Sequence, residues 1–417
     1  MREKAILVVF DQDNTEKEKA AALEELKELS KAAGLQTLRH FMCPLREPNA
    51  RFFIGRGKAE EIAESAKKLE ARVVIFDTDL SSTQQRNLEE IIDAKTIDRT
   101  QLILDIFALR ARSTEGKLQV ELAQLQYLLP RLGGQGIALS RLGGGVGTRG
   151  PGEQKLEVDR RRLREKISKL GIEIERAQGR RKTAIEKKKE KDLPLVALAG
   201  YTNAGKSTLF NKLTSAGVLV KNQLFSTLDT TTRILTLPGN QKVFLADTVG
   251  FVRRLPHHLV ESFKATLEEA VQADILLHVI DAHSSDVPGD MEAVNNVLNQ
   301  IDVLNENVHF VFNKIDLLEK PVLSFLEMKW KGPKTHFISA LSGEGVDELL
   351  TELSRCLPRP RTEKVYFIPK TAWNLIHWLY EQGEVMERKD KPEGCEIRVK
   401  LTEKNYRWFE KKLALSL

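Results

Sequence analysis

Cysteine is scarce in this chain: Cys43, Cys356 and Cys395 are the only thiols in 417 residues. They lie far apart, with no CxxC pair and no histidine at ligand spacing, so neither a disulfide framework nor a zinc site is indicated. Long apolar runs are missing too. None approaches the roughly 18 residues that a membrane span needs, and no transmembrane helix is expected. The opening segment, MREKAILVVFDQD, turns acidic after a short apolar run and lacks a small-residue cleavage site. It reads as a first strand and not as a secretion signal, which points to a cytoplasmic protein. A monomer is expected.

Hydrophobic residues at 41% and charged residues at 30% suit a soluble globular chain, and its length suits about two to four domains. The net charge is +6, from 65 Lys plus Arg against 59 Asp plus Glu. Between Gly152 and Asp192 there are 15 basic and 9 acidic side chains, an excess of six that equals the whole chain's. So localised a stripe is the footprint of a phosphate-rich partner.

The pattern predicts a multidomain α/β protein. Residues 1–112 alternate apolar runs (AILVVF, LQTLRHF, RVVIFD) with helical stretches and form an N-terminal α/β domain. Within it GRGK (Gly55, Arg56, Gly57, Lys58) opens a helix; an anion site and a plain glycine turn explain it equally. Residues 113–192 read as an antiparallel helical hairpin, because Leu118, Leu122, Leu125 and Leu129 on one helix match Leu156, Leu163, Ile167, Leu170, Ile174 and Ala177 on the next. The connection, 131–151, holds eight glycines, three arginines and no acid. It is far longer than a helix hairpin requires, and Arg131, Arg141 and Arg149 are its candidate RNA contacts. Residues 193–358 alternate strand and helix as a doubly wound parallel sheet. After the Pro-Arg-Pro break, 359–417 form a small α+β domain holding Trp373, Trp378 and Trp408, which either fill a core or stack on bases.

The chemistry concentrates between Gly200 and Leu341. Gly200, Tyr201, Thr202, Asn203, Ala204, Gly205, Lys206, Ser207 and Thr208 match GxxxxGK[ST], placed between an apolar strand and a helix. Such a loop turns backbone amides toward phosphates. Lys206 then bridges the outer phosphates and Ser207 offers a hydroxyl to magnesium. Asp247, Thr248, Val249 and Gly250 form DTVG after the strand VFLA, with the acid holding the magnesium shell and the Gly250 amide sensing the terminal phosphate. Asn313, Lys314, Ile315 and Asp316 form NKID; the Asp316 carboxylate accepts two hydrogen bonds from guanine that adenine cannot offer. Ser339, Ala340 and Leu341 close the base site. Four short motifs in order predict a GTP-binding, GTP-hydrolysing domain with GTP and GDP as substrate and product.

The threonine-rich stretch KNQLFSTLDTTTR lies where a nucleotide-sensing switch belongs. Chemistry alone leaves Thr227, Thr230, Thr231 and Thr232 open as its magnesium ligand. Phe251 follows DTVG where many small GTPases place a water-orienting glutamine, so slow intrinsic hydrolysis stimulated by a partner is expected. Asn203 resembles the asparagine of GTPases that use potassium in place of an arginine finger; backbone capping explains it equally.

Three further runs, SSTQQRNLEE, IDRTQLILDIFALRARSTEGKLQVELAQLQYLLPRL and GTRGPGEQKLEVDRRRL, make the chain resemble the HflX family of translation-associated GTPases over nearly its whole length. The family's switch is FATLDPTTR, whose third residue binds magnesium. That resemblance implies Thr227 as the ligand and Phe225, Ser226, Leu228 and Asp229 as its nucleotide-contacting neighbours, with Ser226 and Thr230 replacing Ala and Pro. It further implies binding to the large ribosomal subunit and its RNA, the hairpin loop reaching toward the peptidyl-transferase centre, and separation of stalled or idle ribosomes. An RNA-remodelling or RNA-processing NTPase and a protein-binding signalling switch are the rival expectations.

Overall fold

A computed structural model describes residues 3–11, 16–44, 48–134, 151–189, 193–214, 225, 230–256, 259, 268–301, 307–357 and 361–414. The N-terminal domain is a parallel four-stranded sheet in the order β2-β1-β3-β4. Its strands are β1 (Lys4–Asp11), β2 (Gln36–Pro44), β3 (Val73–Phe76) and β4 (Lys95–Asp98), connected by α1 (Glu16–Ala32), α2 (Arg56–Leu69) and α3 (Ser82–Ile92) and followed by α4 (Arg99–Arg110). Ala5 through Phe10 are all buried, as an unbroken apolar strand must be when both sheet faces are covered. Leu7, Val9, Leu26 and Ile103 fill one side, and Ile6, Val8, Ile62 and Leu88 the other. The pattern reading passed over β4 and α4. β4 is four largely polar residues, and α4 buries Leu102, Ile103, Leu104, Ile106 and Phe107 almost all round, which erases the amphipathic period.

α4 leads into α5 (Thr114–Leu128), a 3₁₀ turn (Leu129–Gly134) and the long α6 (Pro151–Lys189), about 58 Å at the usual helical rise. Leu170 and Ile174 of α6 are buried, one turn apart on the anticipated seam, and Lys166 is ion-paired to Glu121 of α5 at 2.5 Å. α5 also has a second apolar face. Val120, Ala123 and Tyr127 sit in the N-terminal core, so the arm is rooted in that domain and not hung from a linker.

The next sheet has six strands in the order β10-β9-β8-β5-β7-β6. These are β5 (Leu195–Gly200), β6 (Thr231–Leu237), β7 (Gln241–Asp247), β8 (Ile275–Asp281), β9 (Val308–Asn313) and β10 (Thr335–Phe337), accompanied by α7 (Lys206–Thr214), α8 (Val287–Gln300), α9 (Lys320–Lys329) and α10 (Val346–Cys356). The sheet is not wholly parallel, because β6 runs antiparallel to β7. The two are joined by only Pro238–Asn240, with Gly239 at φ 75°. A turn that short reverses the chain and cannot cross over. Between 257 and 271 the described residues are Leu259 and the short helix Glu268–Val271.

The last domain is an antiparallel sheet in the order β11-β13-β12, from β11 (Arg361–Pro369), β12 (Glu384–Lys391) and β13 (Gly394–Thr402). α11 (Asn374–Gln382) and α12 (Glu403–Ala414) cover one face. Ile368, Leu379, Ile397, Val399 and Phe409 form its core. Trp378 and Trp408 stack at 4.3 Å between centroids at the edge of that core, and both Trp408 and Trp373 are exposed. Among the described residues no helix is long and apolar enough to cross a membrane.

Candidate nucleotide-binding site

The loop after β5 can be built only from particular residues. Gly200 has φ 156°, and a Cβ there would lie 2.2 Å from the Val279 carbonyl oxygen. Gly205 has φ 94°, and its Cβ would meet Asn313 Nδ2 at 2.2 Å. Asn203 takes the left-handed conformation, φ 63°, at the exposed tip, a region that asparagine tolerates better than most side chains. Lys206 opens α7, and its Nζ donates to the carbonyls of Gly200 at 2.9 Å and Tyr201 at 2.8 Å. Burial lowers its ammonium to about 8, against the pull of Asp247. A phosphate beside it would raise that value again.

Ser207 Oγ donates to Asp247 Oδ2 at 2.7 Å, which joins the two oxygen groups the sequence assigned to the cation. Both residues are buried. A hydroxyl and a carboxylate side by side suit magnesium, which takes oxygen ligands and retains waters. Among the described residues no group of three or more His, Cys, Asp or Glu forms a metal cage, so phosphate oxygens and water would complete the shell. Thr227, Ser226, Leu228 and Asp229 lie outside the described residues.

Asn313 ties the base loops to the phosphate loop. Its Nδ2 donates to the Ala204 carbonyl at 2.8 Å, and its Oδ1 accepts from the Ala340 amide at 2.9 Å. Lys314 turns the chain with φ 67° and holds Asp281 Oδ2 at 2.5 Å. Ile315 is buried, which leaves the neighbouring Asp316 carboxylate exposed and available to a base. Ser339 and Ala340 are buried, whereas Leu341 is 77% exposed and offers an apolar surface near that position. Thr202 Oγ1 is buried without a partner among the described residues.

Several side chains expected at the nucleotide point elsewhere. Thr248 Oγ1 donates to the Leu198 carbonyl at 2.6 Å and fastens β7 to β5. Val249 and Phe225 belong to the N-terminal domain's core, with the Phe225 ring edge-on to Phe107 at 4.7 Å. Only the backbone of these three can meet the nucleotide. Phe251 is buried among Ala197, Ala199, Ala246 and Val294, so it presents nothing to a phosphate. The Cβ of a residue replacing Gly250 would stand 3.2 Å from Lys206 Nζ and 2.7 Å from Thr202 Cγ2, so glycine alone fits against the loop.

Arg131 is a correction. Its guanidinium stacks on Tyr127 at 3.5 Å and donates to the carbonyls of Tyr127 and Leu80 and to Asp98 Oδ2. These donors fasten the root of the glycine-rich loop and are not presented to RNA. Arg141 and Arg149 lie outside the described residues.

A second constellation escaped the sequence reading. Tyr201 OH donates to Glu25 Oε1 of α1 at 2.7 Å and accepts from the Arg253 amide at 3.1 Å. Arg99 joins Glu25 at 2.8 Å, Asp77 at 2.6 Å and the Arg253 carbonyl at 2.8 Å. Burial alone would lower the Arg99 pKa, but Glu25 and Asp77 outweigh it and hold the pKa above its ordinary value. Glu25 is one glutamate among many on a charged helix, and no local pattern distinguishes it.

A phosphate loop, a hydroxyl–carboxylate cation pair and an NKID base loop at the carboxyl ends of parallel strands define a P-loop GTPase domain. The whole chain supports a narrower assignment. Family models match in series: GTP-binding GTPase N-terminal over residues 20–108, GTP-binding GTPase middle region over 110–188, 50S ribosome-binding GTPase over 195–314 and HflX C-terminal domain over 327–416. The GTPase HflX of Caldanaerobacter subterraneus subsp. tengcongensis is 44% identical over 96% of this chain and 91% of its own length. That of Escherichia coli K12 is 46% identical over 91% of this chain and 88% of its own. A crystal structure of a GTP-binding protein from Sulfolobus solfataricus in complex with GDP matches with 25% identity and a TM-score of 0.44, over 85% of this chain and 98% of that one. The chain belongs to the HflX family of GTPases and is a GTP hydrolase.

Proposed function

We propose that this GTPase binds the large ribosomal subunit through its helical arm and promotes separation of stalled or idle ribosomes in the cytoplasm, with GTP hydrolysis timing release. One observation carries the reading. On the long α6, Arg161, Arg162, Arg164 and Lys169 are exposed and turned away from the buried seam of Leu170 and Ile174, and so offer phosphate a basic rail. The 50S ribosome-binding GTPase model supports the same partner. In this reading Gly200–Thr208 cradle the phosphates, Ser207 and Thr227 bind magnesium and Asp316 reads guanine. Gly250 senses the terminal phosphate, and Asn203 is the candidate potassium ligand.

The RNA-processing alternative rests on GRGK as a second phosphate site. There Lys58 is ion-paired to Glu61 at 2.8 Å and lies 5.0 Å from the centre of the Phe41 ring, so its charge is engaged locally. A protein-binding signalling switch would need an apolar or acidic arm, and this one is basic. Co-sedimentation of the full chain with purified subunits, with GDP or a non-hydrolysable GTP analogue, tests the proposal. Association with the large subunit should be stronger in the GTP-like state. Equal association in both states sinks it.

A further inference from the structure

Three residues of the N-terminal domain hold the nucleotide site, Glu25 through Tyr201, Asp77 through Arg254 and Arg99 through the Arg253 carbonyl, and Arg99 directly follows Asp98, which holds the root of the arm. Arg99, the first residue of α4, grips the segment behind Gly250 through the Arg253 carbonyl at 2.8 Å. Asp98, the N-cap of the same helix, grips Arg131 at the root of the glycine-rich loop at 2.9 Å. The loop after β3 joins both grips. Asp77 binds Arg99 at 2.6 Å and Arg254 at 2.5 Å, while Leu80 donates its amide to Asp98 and accepts Arg131 through its carbonyl. Apolar contacts run in parallel: Val249, Val252 and Phe225 pack into the same cluster as Phe107, Val120 and Tyr127, the roots of α4 and α5. Residues on both sides of the magnesium and γ-phosphate positions are therefore set in the domain that carries the arm.

We propose that Asp98 and Arg99 are positioning residues that relay the nucleotide state of the 247–254 segment to the root of the arm. The relay rests on the ribosome-binding reading above and supplies its internal mechanism. Its physical basis is that Asp77, Asp98 and Arg99 are buried. Buried charges keep their partners or lose several kcal/mol of compensation. When Gly250 moves toward a γ-phosphate, the Arg253 peptide moves with it. Arg99 follows that carbonyl instead of leaving it unsatisfied, and α4 then carries Asp98 and Arg131 along. By linkage, the factor by which GTP rather than GDP biases the arm root sets the limit on how far loosening that root can shift the preference between GTP and GDP.

The test uses the full chain and two variants at the arm end, Arg131→Gln and Asp98→Asn; asparagine can still cap α4. Affinities for fluorescent GDP and for a fluorescent non-hydrolysable GTP analogue are measured, and their ratio is the readout. A purely structural role would weaken both ligands alike and leave the ratio unchanged. The relay predicts a shift in the ratio of about fivefold or more, the usual lower range of allosteric coupling, although neither residue belongs to the nucleotide loops. A ratio within about twofold of wild type in both variants would overturn it. Because this readout contains no ribosome, a failure of nucleotide-dependent subunit binding would count against the proposed function and leave the relay to be decided separately. Arg254→Gln, at a half-exposed switch-side residue that folding should tolerate, must shift the ratio as well; no shift there rejects the relay even if an arm variant misfolds.

Discussion

Replacing Asn313 by alanine removes one side chain and strands two backbone groups. The amide is 2% exposed, and it satisfies the Ala204 carbonyl in the phosphate loop and the Ala340 amide in the base loop. Each buried group left unmade costs about 1–3 kcal/mol, so the pair costs about 2–6 kcal/mol, less whatever water enters. Because the lost bonds join two loops that grip opposite ends of one nucleotide, part of that loss must appear in binding. GDP affinity should fall at least about tenfold, or about 1.4 kcal/mol. Lys314→Ala is the contrast within the same motif. Its partner Asp281 is partly solvated, and such pairs contribute up to about 1 kcal/mol. Urea denaturation and titration with a fluorescent GDP would be measured on both variants. If Asn313→Ala lowered the unfolding midpoint but bound GDP within about threefold of wild type, the brace would be structural and the reasoning about the two loops would be wrong.

Asp316→Asn should exchange guanine for xanthine preference, since the amide reverses one hydrogen bond; undiminished GTP selectivity in competition with xanthosine nucleotides would refute the base assignment. Turnover should be faster in potassium than in sodium chloride at equal ionic strength if Asn203 helps hold a monovalent ion, and equal rates would reject that role. Burial, aided by the Lys206 charge, lowers His278 to about 3; burial, then His336 and Lys334, lower His309 to about 4. The unfolded chain binds these protons below about pH 6.5 and the folded chain does not. Stability should therefore be complete above that pH and decline on acidification, each imidazole adding at most about 1.4 kcal/mol per pH unit. His278→Leu should flatten the urea-midpoint profile between pH 6.5 and 5, and an unchanged slope would show that His278 does not titrate as described.

Residue order and spacing suffice for the parts whose chemistry is local. A phosphate loop needs glycine where φ is positive or backbone approaches closely, and Gly200 and Gly205 meet those demands within nine residues. Ser207, Asp247, Asn313 and Asp316 each follow a recognisable strand, so their placement at one end of a parallel sheet was legible from periodicity and order. The seam of α6 was legible for the same reason, since a seven-residue spacing survives without knowledge of its partner. The contacts between domains follow from the folded chain alone. Phe225, Val249 and Val252 could have faced a nucleotide or a core, and the N-terminal domain supplies the core. Arg131 read as one more basic residue in a loop, yet its guanidinium lies within reach of Asp98, Leu80 and Tyr127. Glu25 and Tyr201 are 176 residues apart and share one hydrogen bond. Spacing along a chain records which side chains share a helix face or a strand end, but which buried charge meets which partner across an interface depends on how whole domains dock.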